Sequence, residues 1–192
     1  MQVLPNNRCL VEYPISTNDQ TILLDEFESK KEEINTKVYE FVNDSLRNFQ
    51  IETPSWLFEH IINELVKNAY DSFVDKGLKM DEKLQITAVV SEKTDQIILK
   101  FKDNGTGFKK LEKGEKKTFQ VNDTEVTLGT DFISSPGISD KKDTKKYLGG
   151  AGCGMQGILA NLKDYNPDVT VYAKNRKLEG CAIHIVFPKS QH

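Results

Sequence analysis

The chain has 192 residues, of which 38% are hydrophobic and 29% charged, a composition typical of one globular domain with or without an appendage. Its net charge of −3 lacks the basic excess that nucleic-acid-binding proteins use, so direct binding of nucleic acid is not expected. No run approaches the roughly 18 apolar residues of a membrane span, and no secretory leader is recognisable. The three cysteines are too widely spaced for a disulfide or metal-ligand pattern. We therefore expect a cytoplasmic protein without a membrane segment.

The first fifty residues predict an extended segment followed by helix. Residues 1–20 are punctuated by Pro and Asn, which favours an extended arm or an edge strand. In residues 21–49, apolar residues recur at helical spacing between charges, which predicts one or two amphipathic helices. We therefore treat residues 1–52 as an N-terminal extension, and we expect residues 21–49 to bind a protein partner or a second copy of the chain.

A second, longer helix is predicted to begin at Thr53-Pro54-Ser55 and to end at Gly77, residue types that suit a helix start and a helix stop. Trp56, at its beginning, is assigned to the core. At about 100° per residue, a polar stripe runs along this helix. The stripe consists of His60, Glu64, Asn68 and Asp71. The positions assigned to open solvent are Glu59, Asn63, Lys67 and Tyr70. The stripe is either an ordinary solvated helix edge or the wall of a pocket.

Two β-branched segments follow, "LQITAVV" and "QIILKF", with a turn at "SEKTD" between them. The second strand ends in "DNGTGF", which places Asp103 before Gly105 and Gly107. A hairpin turn explains this motif by itself, because glycine adopts the positive φ of tight turns. An ionised Asp at a strand end is also an acceptor that suits the exocyclic amine of an adenine.

Residues 108–148 form a long polar insert that holds nine lysines and seven acidic residues. A connection of this length in a compact domain is usually functional or disordered. The insert leads into "YLGGAGCGMQGIL", a glycine run that is either a phosphate cradle or a flexible turn before a helix. Its alternate glycines are Gly150, Gly152 and Gly154.

The chain closes with "DVTVYAKNRKLEGCAIHIVFP", which predicts two more strands around a turn. Helices on one face of a mixed or antiparallel sheet give an α+β two-layer sandwich, which is the fold class that we expect.

Three motifs in this order resemble those of one superfamily. The segments "NELVKNAYDS", "DNGTGF" and "TKKYLGGAGCGMQGI" resemble the N-box and two glycine boxes of the Bergerat-fold (GHKL) ATP-binding domain, which DNA gyrase, the ninety-kilodalton heat-shock chaperone, histidine kinases and mismatch-repair ATPases share. "GCAIHIVFP" resembles the closing strand of such domains. The resemblance covers about residues 55–188. It implies helices on one face of a mixed sheet, an ATP-binding domain at residues 53–192 and a lid at about residues 108–148.

The resemblance also assigns roles to single residues. Asn68 matches the family's Mg²⁺ ligand, and one neutral amide suits an ion that fills its shell with phosphate oxygens and water. Asp103 matches the carboxylate that binds adenine. Lys145, in the Thr144–Lys145 pair, is a candidate phosphate contact from the lid. The other positions matched to the nucleotide are Asp71, Gly105, Gly107, Gly150, Gly152 and Gly154.

Glu64 occupies a position that distinguishes branches of the superfamily. Sensor histidine kinases usually have Asn there, whereas gyrase-like ATPases, the heat-shock chaperone, anti-sigma-factor serine kinases and pyruvate dehydrogenase kinases have Glu. Such a Glu acts as a general base on water or on a hydroxyl, or else only tunes the Mg²⁺ site. The resemblance therefore implies a Mg²⁺·ATP-binding domain that hydrolyses ATP or transfers its γ-phosphate, with a lid that couples to a protein partner. The alternative is a non-catalytic, ATP-dependent interaction or dimerisation module.

Overall fold

The computed structural model describes residues 7–107, 118–121, 124–127, 148, 161–162, 164–175 and 179–189. In chain order, the elements are β1 (Arg8–Pro14), α1 (Gln20–Asn48), α2 (Ser55–Asp75), β2 (Lys83–Glu92), β3 (Gln96–Asp103), β4 (Thr118–Val121), β5 (Thr124–Thr127), β6 (Thr170–Asn175) and β7 (Cys181–Pro188). Residues 161, 162, 164 and 165 are also helical, within the helix predicted after the glycine run. None of the described helices is both long enough and apolar enough to span a bilayer.

Five of these strands form one sheet in the order β1-β2-β3-β7-β6. Every pair of neighbouring strands in this sheet is antiparallel. The sequence allowed a mixed or an antiparallel sheet, and the described strands form an antiparallel one. β1 lies at the edge of the sheet, which confirms the edge-strand alternative for the N-terminal segment. β4 and β5 form a separate hairpin within the predicted lid, which the sequence pattern did not indicate.

One face of the sheet is apolar and carries both long helices. Leu84, Ile86, Ala88 and Val90 alternate along β2 and are all buried, because successive strand residues point to opposite faces. α1 contacts β1 and β2, and α2 contacts β2 and β3. The predicted α+β two-layer sandwich is confirmed.

α1 is a single helix whose apolar face is covered inside the chain. It begins at the N-cap Asp19, whose carboxylate accepts the backbone N–H groups of Thr21 and Ile22 at 2.9 and 3.2 Å. Its buried residues are Leu23, Phe27, Ile34, Val38, Val42 and Leu46. Because this face is buried within the domain, a partner that binds residues 21–49 has chiefly the polar side of α1 to contact, together with the exposed Ile22. The division of the chain at residue 52 stays a prediction.

The position of α1 corrects part of the helical-wheel reading of α2. Tyr70 was assigned to solvent, but it is 1% exposed and its ring stacks on Phe27 with centroids 4.2 Å apart. Asn63, from the same predicted solvent flank, is half-buried and accepts a hydrogen bond from Asn35 of α1 at 3.2 Å. The wheel was wrong at Tyr70 and Asn63 because α1 covers these positions, whereas Glu59 is exposed as predicted.

Trp56 is a further correction, because 59% of its surface is exposed. Its neighbours Leu57 and Phe58 occupy the buried positions in the first turn of α2, which leaves Trp56 directed outwards.

Candidate functional site

The polar stripe of α2 descends from the surface into the interior. His60 is exposed, Glu64 and Asn68 are half-buried, and Asp71 is fully buried. An ordinary solvated helix edge would expose all four positions. The stripe therefore lines the inside of the molecule over the second half of the helix.

Glu64 is paired with Lys67 on the same helix. The Lys67 ammonium Nζ lies 2.5 Å from Glu64 Oε1, and the two side chains are only 20% and 15% exposed. Lys67 was assigned to open solvent, so this contact is a second correction to the wheel. The carboxylate that the sequence proposed as a base is thus held by a cation.

Asp71 connects α2 to the end of the predicted lid. Its Oδ1 accepts the backbone N–H of Leu148 at 2.8 Å, and the residue is completely buried. Leu148 is the last residue of the predicted lid and directly precedes the glycine run. This carboxylate therefore binds main chain where the resemblance had predicted a nucleotide contact, and its role towards a nucleotide stays a prediction.

Asp103 ends β3 on the face that carries the helices, and it is 5% exposed. Lys102 pairs with Ala182, so the next positions along the register bring Asp103 beside Cys181 of β7. Asp103 Oδ1 accepts the N–H groups of Gly105 and Cys181 at 2.8 and 3.4 Å, and Oδ2 accepts the Cys181 thiol at 2.9 Å. The carboxylate is therefore held by hydrogen bonds from the loop after β3 and from the first residue of β7.

Gly105 brings the loop after β3 directly onto α2. A Cβ atom at Gly105 would lie 2.3 Å from Ser72 Oγ and 2.6 Å from the Ser72 carbonyl carbon. The next residue, Thr106, donates its N–H to the Ser72 carbonyl at 3.0 Å. Gly105 is therefore required for close packing of the loop on the helix, and its predicted role beside a nucleotide stays a prediction. Gly107 has a φ of 72°, as a tight turn requires.

Sequence reasoning missed three residues that hold Asp103 in place. Gly180 has a φ of 73°, and a Cβ there would lie 2.0 Å from the Asp103 carbonyl oxygen. Cys181 supplies two of the donors to the Asp103 carboxylate. Asn104 accepts the Gln85 N–H through Oδ1 and donates Nδ2 to the Lys83 carbonyl, both at 2.8 Å. In the sequence, Gly180 and Cys181 signalled only a turn before the closing strand.

These contacts place the predicted residues along one line of the molecule. The loop after Asp103 meets α2 at Ser72, and at 1.5 Å per residue Asn68 lies about 6 Å and Glu64 about 12 Å further along the helix axis. Along the helix axis, the loop after β3 therefore meets α2 about one turn from Asn68 and about two turns from Glu64. Four predicted site residues lie outside the described part of the chain: Lys145, Gly150, Gly152 and Gly154. Within the described part, no three His, Cys, Asp or Glu side chains are grouped as a metal site.

Comparison with known proteins gives similarity to solved structures alone. No family model matches the sequence, and no curated protein matches it. Three matching structures are nucleotide-free forms of the catalytic domain of histidine kinase ThkA. Two are 14% identical, with TM-scores of 0.47 and 0.48, and cover 94% of this chain and 97% and 95% of their own. The third is 13% identical with a TM-score of 0.42 and covers 94% of this chain and 97% of its own.

Proposed function

We propose that this chain is a Mg²⁺·ATP-binding domain of the Bergerat type, which hydrolyses ATP or transfers its γ-phosphate. The observation that carries the proposal is the Asp103 carboxylate at the end of β3. It is nearly buried, it is oriented by Gly105 and Cys181, and it lies where the loop after β3 meets the helix that carries Glu64 and Asn68. A fixed acceptor in such a position suits the exocyclic amine of adenine.

The donor set of α2 suits Mg²⁺ when the ion brings other ligands with it. Mg²⁺ takes oxygen ligands and usually keeps several waters, so one side-chain amide from Asn68 and the phosphate oxygens of ATP complete a reasonable shell. Asn68 is half-buried on the polar stripe, one turn after Glu64. Bound Mg²⁺ would neutralise phosphate charge, while Glu64 would take a proton from water or from a hydroxyl group of a protein substrate.

The glycine run and the lid complete the proposal. Gly150, Gly152 and Gly154, at the start of a predicted helix, would direct backbone N–H groups at the phosphates, with Lys145 adding a cation from the lid. Asp71 supports this arrangement, because its hydrogen bond to Leu148 anchors the chain one residue before the run begins. A protein partner would be contacted by the lid or by the polar side of α1. A cytoplasmic location stays a prediction.

Binding is tested first, by isothermal titration calorimetry with Mg²⁺ and ATP. Asp103→Asn removes the charge from the acceptor and should weaken binding about tenfold to a hundredfold, since a hydrogen bond to a charged group contributes roughly 1.5–3 kcal/mol. Asp95→Asn is the matched control, because Asp95 is an exposed residue of the β2–β3 turn. Equal affinities of the Asp103→Asn protein and wild type would refute the adenine assignment.

Turnover is tested next. Phosphate release from ATP that Glu64→Ala abolishes, while leaving ATP binding in place, identifies hydrolysis. Label from γ-³²P-ATP that appears only on an added partner protein identifies a kinase.

The second candidate function is the non-catalytic module, an ATP-dependent interaction or dimerisation domain. The ion pair between Glu64 and Lys67 favours it, because the Glu64 carboxylate is engaged by the Lys67 ammonium group within α2. ATP binding without phosphate release or transfer would select this candidate.

A further inference from the structure

The ion pair of Glu64 and Lys67 is more buried than the other ion pair within a described helix, Lys30–Glu33. Charged side chains are rarely so buried unless they are paired, and these two are 15% and 20% exposed. The neighbouring Asn63 accepts a hydrogen bond from Asn35, so α1 lies beside this part of α2. The pair is therefore partly shielded from solvent screening.

Lys30 and Glu33 of α1 provide an internal comparison. They have the same three-residue separation, but they are 61% and 78% exposed and 3.5 Å apart. A surface pair of this kind contributes little, whereas removal of one partner from a shielded pair leaves a charge without compensation.

We propose that Lys67 is the positioning counter-ion of Glu64. Its ammonium group holds the carboxylate in one orientation and cancels the negative charge at the end of the site where the phosphates would lie. This inference rests on the proposed function, because that function places Mg²⁺ and the phosphates beside Asn68, one turn from Glu64. Without Lys67, an uncompensated carboxylate would repel the triphosphate across a shielded space.

If Lys67 acts through Glu64, removing the Glu64 charge should offset the loss of Lys67. Calorimetry compares binding of Mg²⁺·ATP and of adenosine to Lys67→Met, Glu64→Gln/Lys67→Met and Lys67→Arg proteins. Lys67→Met should weaken ATP binding about tenfold or more and change adenosine binding less than about threefold, since adenosine has no phosphates to repel. The double variant should recover ATP affinity, and Lys67→Arg should retain it.

Two results would overturn the inference. The first is wild-type affinity for ATP in the Lys67→Met protein. The second is a double variant that binds ATP as weakly as Lys67→Met does, because Lys67 would then contact the phosphates itself.

Thermal unfolding tests the pair without nucleotide. Lys67→Met should lower Tm by at least about 4 °C, the double variant should recover at least half of that loss, and Lys30→Met should leave Tm unchanged. If the wild type binds no ATP, the proposed function fails, and recovery of Tm in the double variant still establishes Lys67 as the counter-ion of Glu64. A decrease in Tm in the double variant as large as that in Lys67→Met would overturn the pairing as well.

Discussion

Replacing Gly180 with alanine should damage the domain more than the same change at Gly77, although both glycines have positive φ. Gly77 has a φ of 90°, and a Cβ added there would have no atom within 4 Å, so Gly77→Ala meets only the left-handed backbone penalty of roughly 1–2 kcal/mol. Gly180 has a φ of 73°, and its Cβ would lie 2.0 Å from the Asp103 carbonyl oxygen and 2.6 Å from the carbonyl carbon. Both of these atoms belong to the backbone, so strand β3 or the turn must shift.

The expected loss of stability in Gly180→Ala is the sum of the backbone penalty and the cost of overpacking. Overpacking a filled site costs about 1–3 kcal/mol, so Gly180→Ala should lower the free energy of unfolding by about 2–5 kcal/mol in total. Urea unfolding followed by circular dichroism at 222 nm measures both variants on one scale. Gly180→Ala should also weaken ATP binding, because the displaced backbone carries Asp103, whereas Gly77→Ala should leave ATP affinity unchanged. Free energies of unfolding that agree within about 0.5 kcal/mol for the two variants would refute the contact between Gly180 and Asp103.

Three other outcomes are expected. The Tyr70 hydroxyl is buried and has no hydrogen-bond partner among the described residues. Tyr70→Phe should therefore leave the free energy of unfolding unchanged or raise it by up to about 1 kcal/mol. A decrease of more than about 1 kcal/mol would show that the hydroxyl has a partner. Burial, reinforced by the charge of Asp71, raises the pKa of Tyr70, so the folded state keeps a proton that the unfolded chain loses above about pH 10. The free energy of unfolding should therefore fall by roughly 1.4 kcal/mol per pH unit above that pH. An equally steep fall in the Tyr70→Phe protein would contradict this. A non-hydrolysable ATP analogue with Mg²⁺ should protect residues 108–148 from limited proteolysis, and identical cleavage with and without the analogue would remove the lid from the proposal.

The sequence predicted the elements of the fold well, because their signals are local. Alternating β-branched residues marked β2 and β3, and a polar turn marked the hairpin between them. The apolar spacing predicted both helices, the buried residues of α1 and most of those of α2, but not Leu57, Tyr70, Asp71 or Val74. These patterns depend only on the periods of strand and helix.

Contacts between elements were not predictable in the same way. The wheel wrongly predicts solvent exposure for Tyr70, because it contains no information about α1, whose Phe27 ring packs on Tyr70. It also misses the ion pair that Lys67 forms with Glu64 on the same helix. Cys181 joins the site because β3 and β7 are neighbours in the sheet, which brings together residues 78 positions apart in the chain. The motifs that contain Gly105 and Gly180 do not show that both positions need glycine because neighbouring residues pack directly against them.

The proposed function depends on recognition of the exocyclic amine of adenine by Asp103. Inosine triphosphate tests it most directly, because it carries a carbonyl oxygen in place of that amine and keeps the ribose and phosphates. Calorimetry should find that wild type binds Mg²⁺·ATP at least about tenfold more tightly than the inosine nucleotide, and that Asp103→Asn loses most of this preference. Equal affinity of the wild-type protein for the two nucleotides, or no binding of ATP at all, would contradict the account.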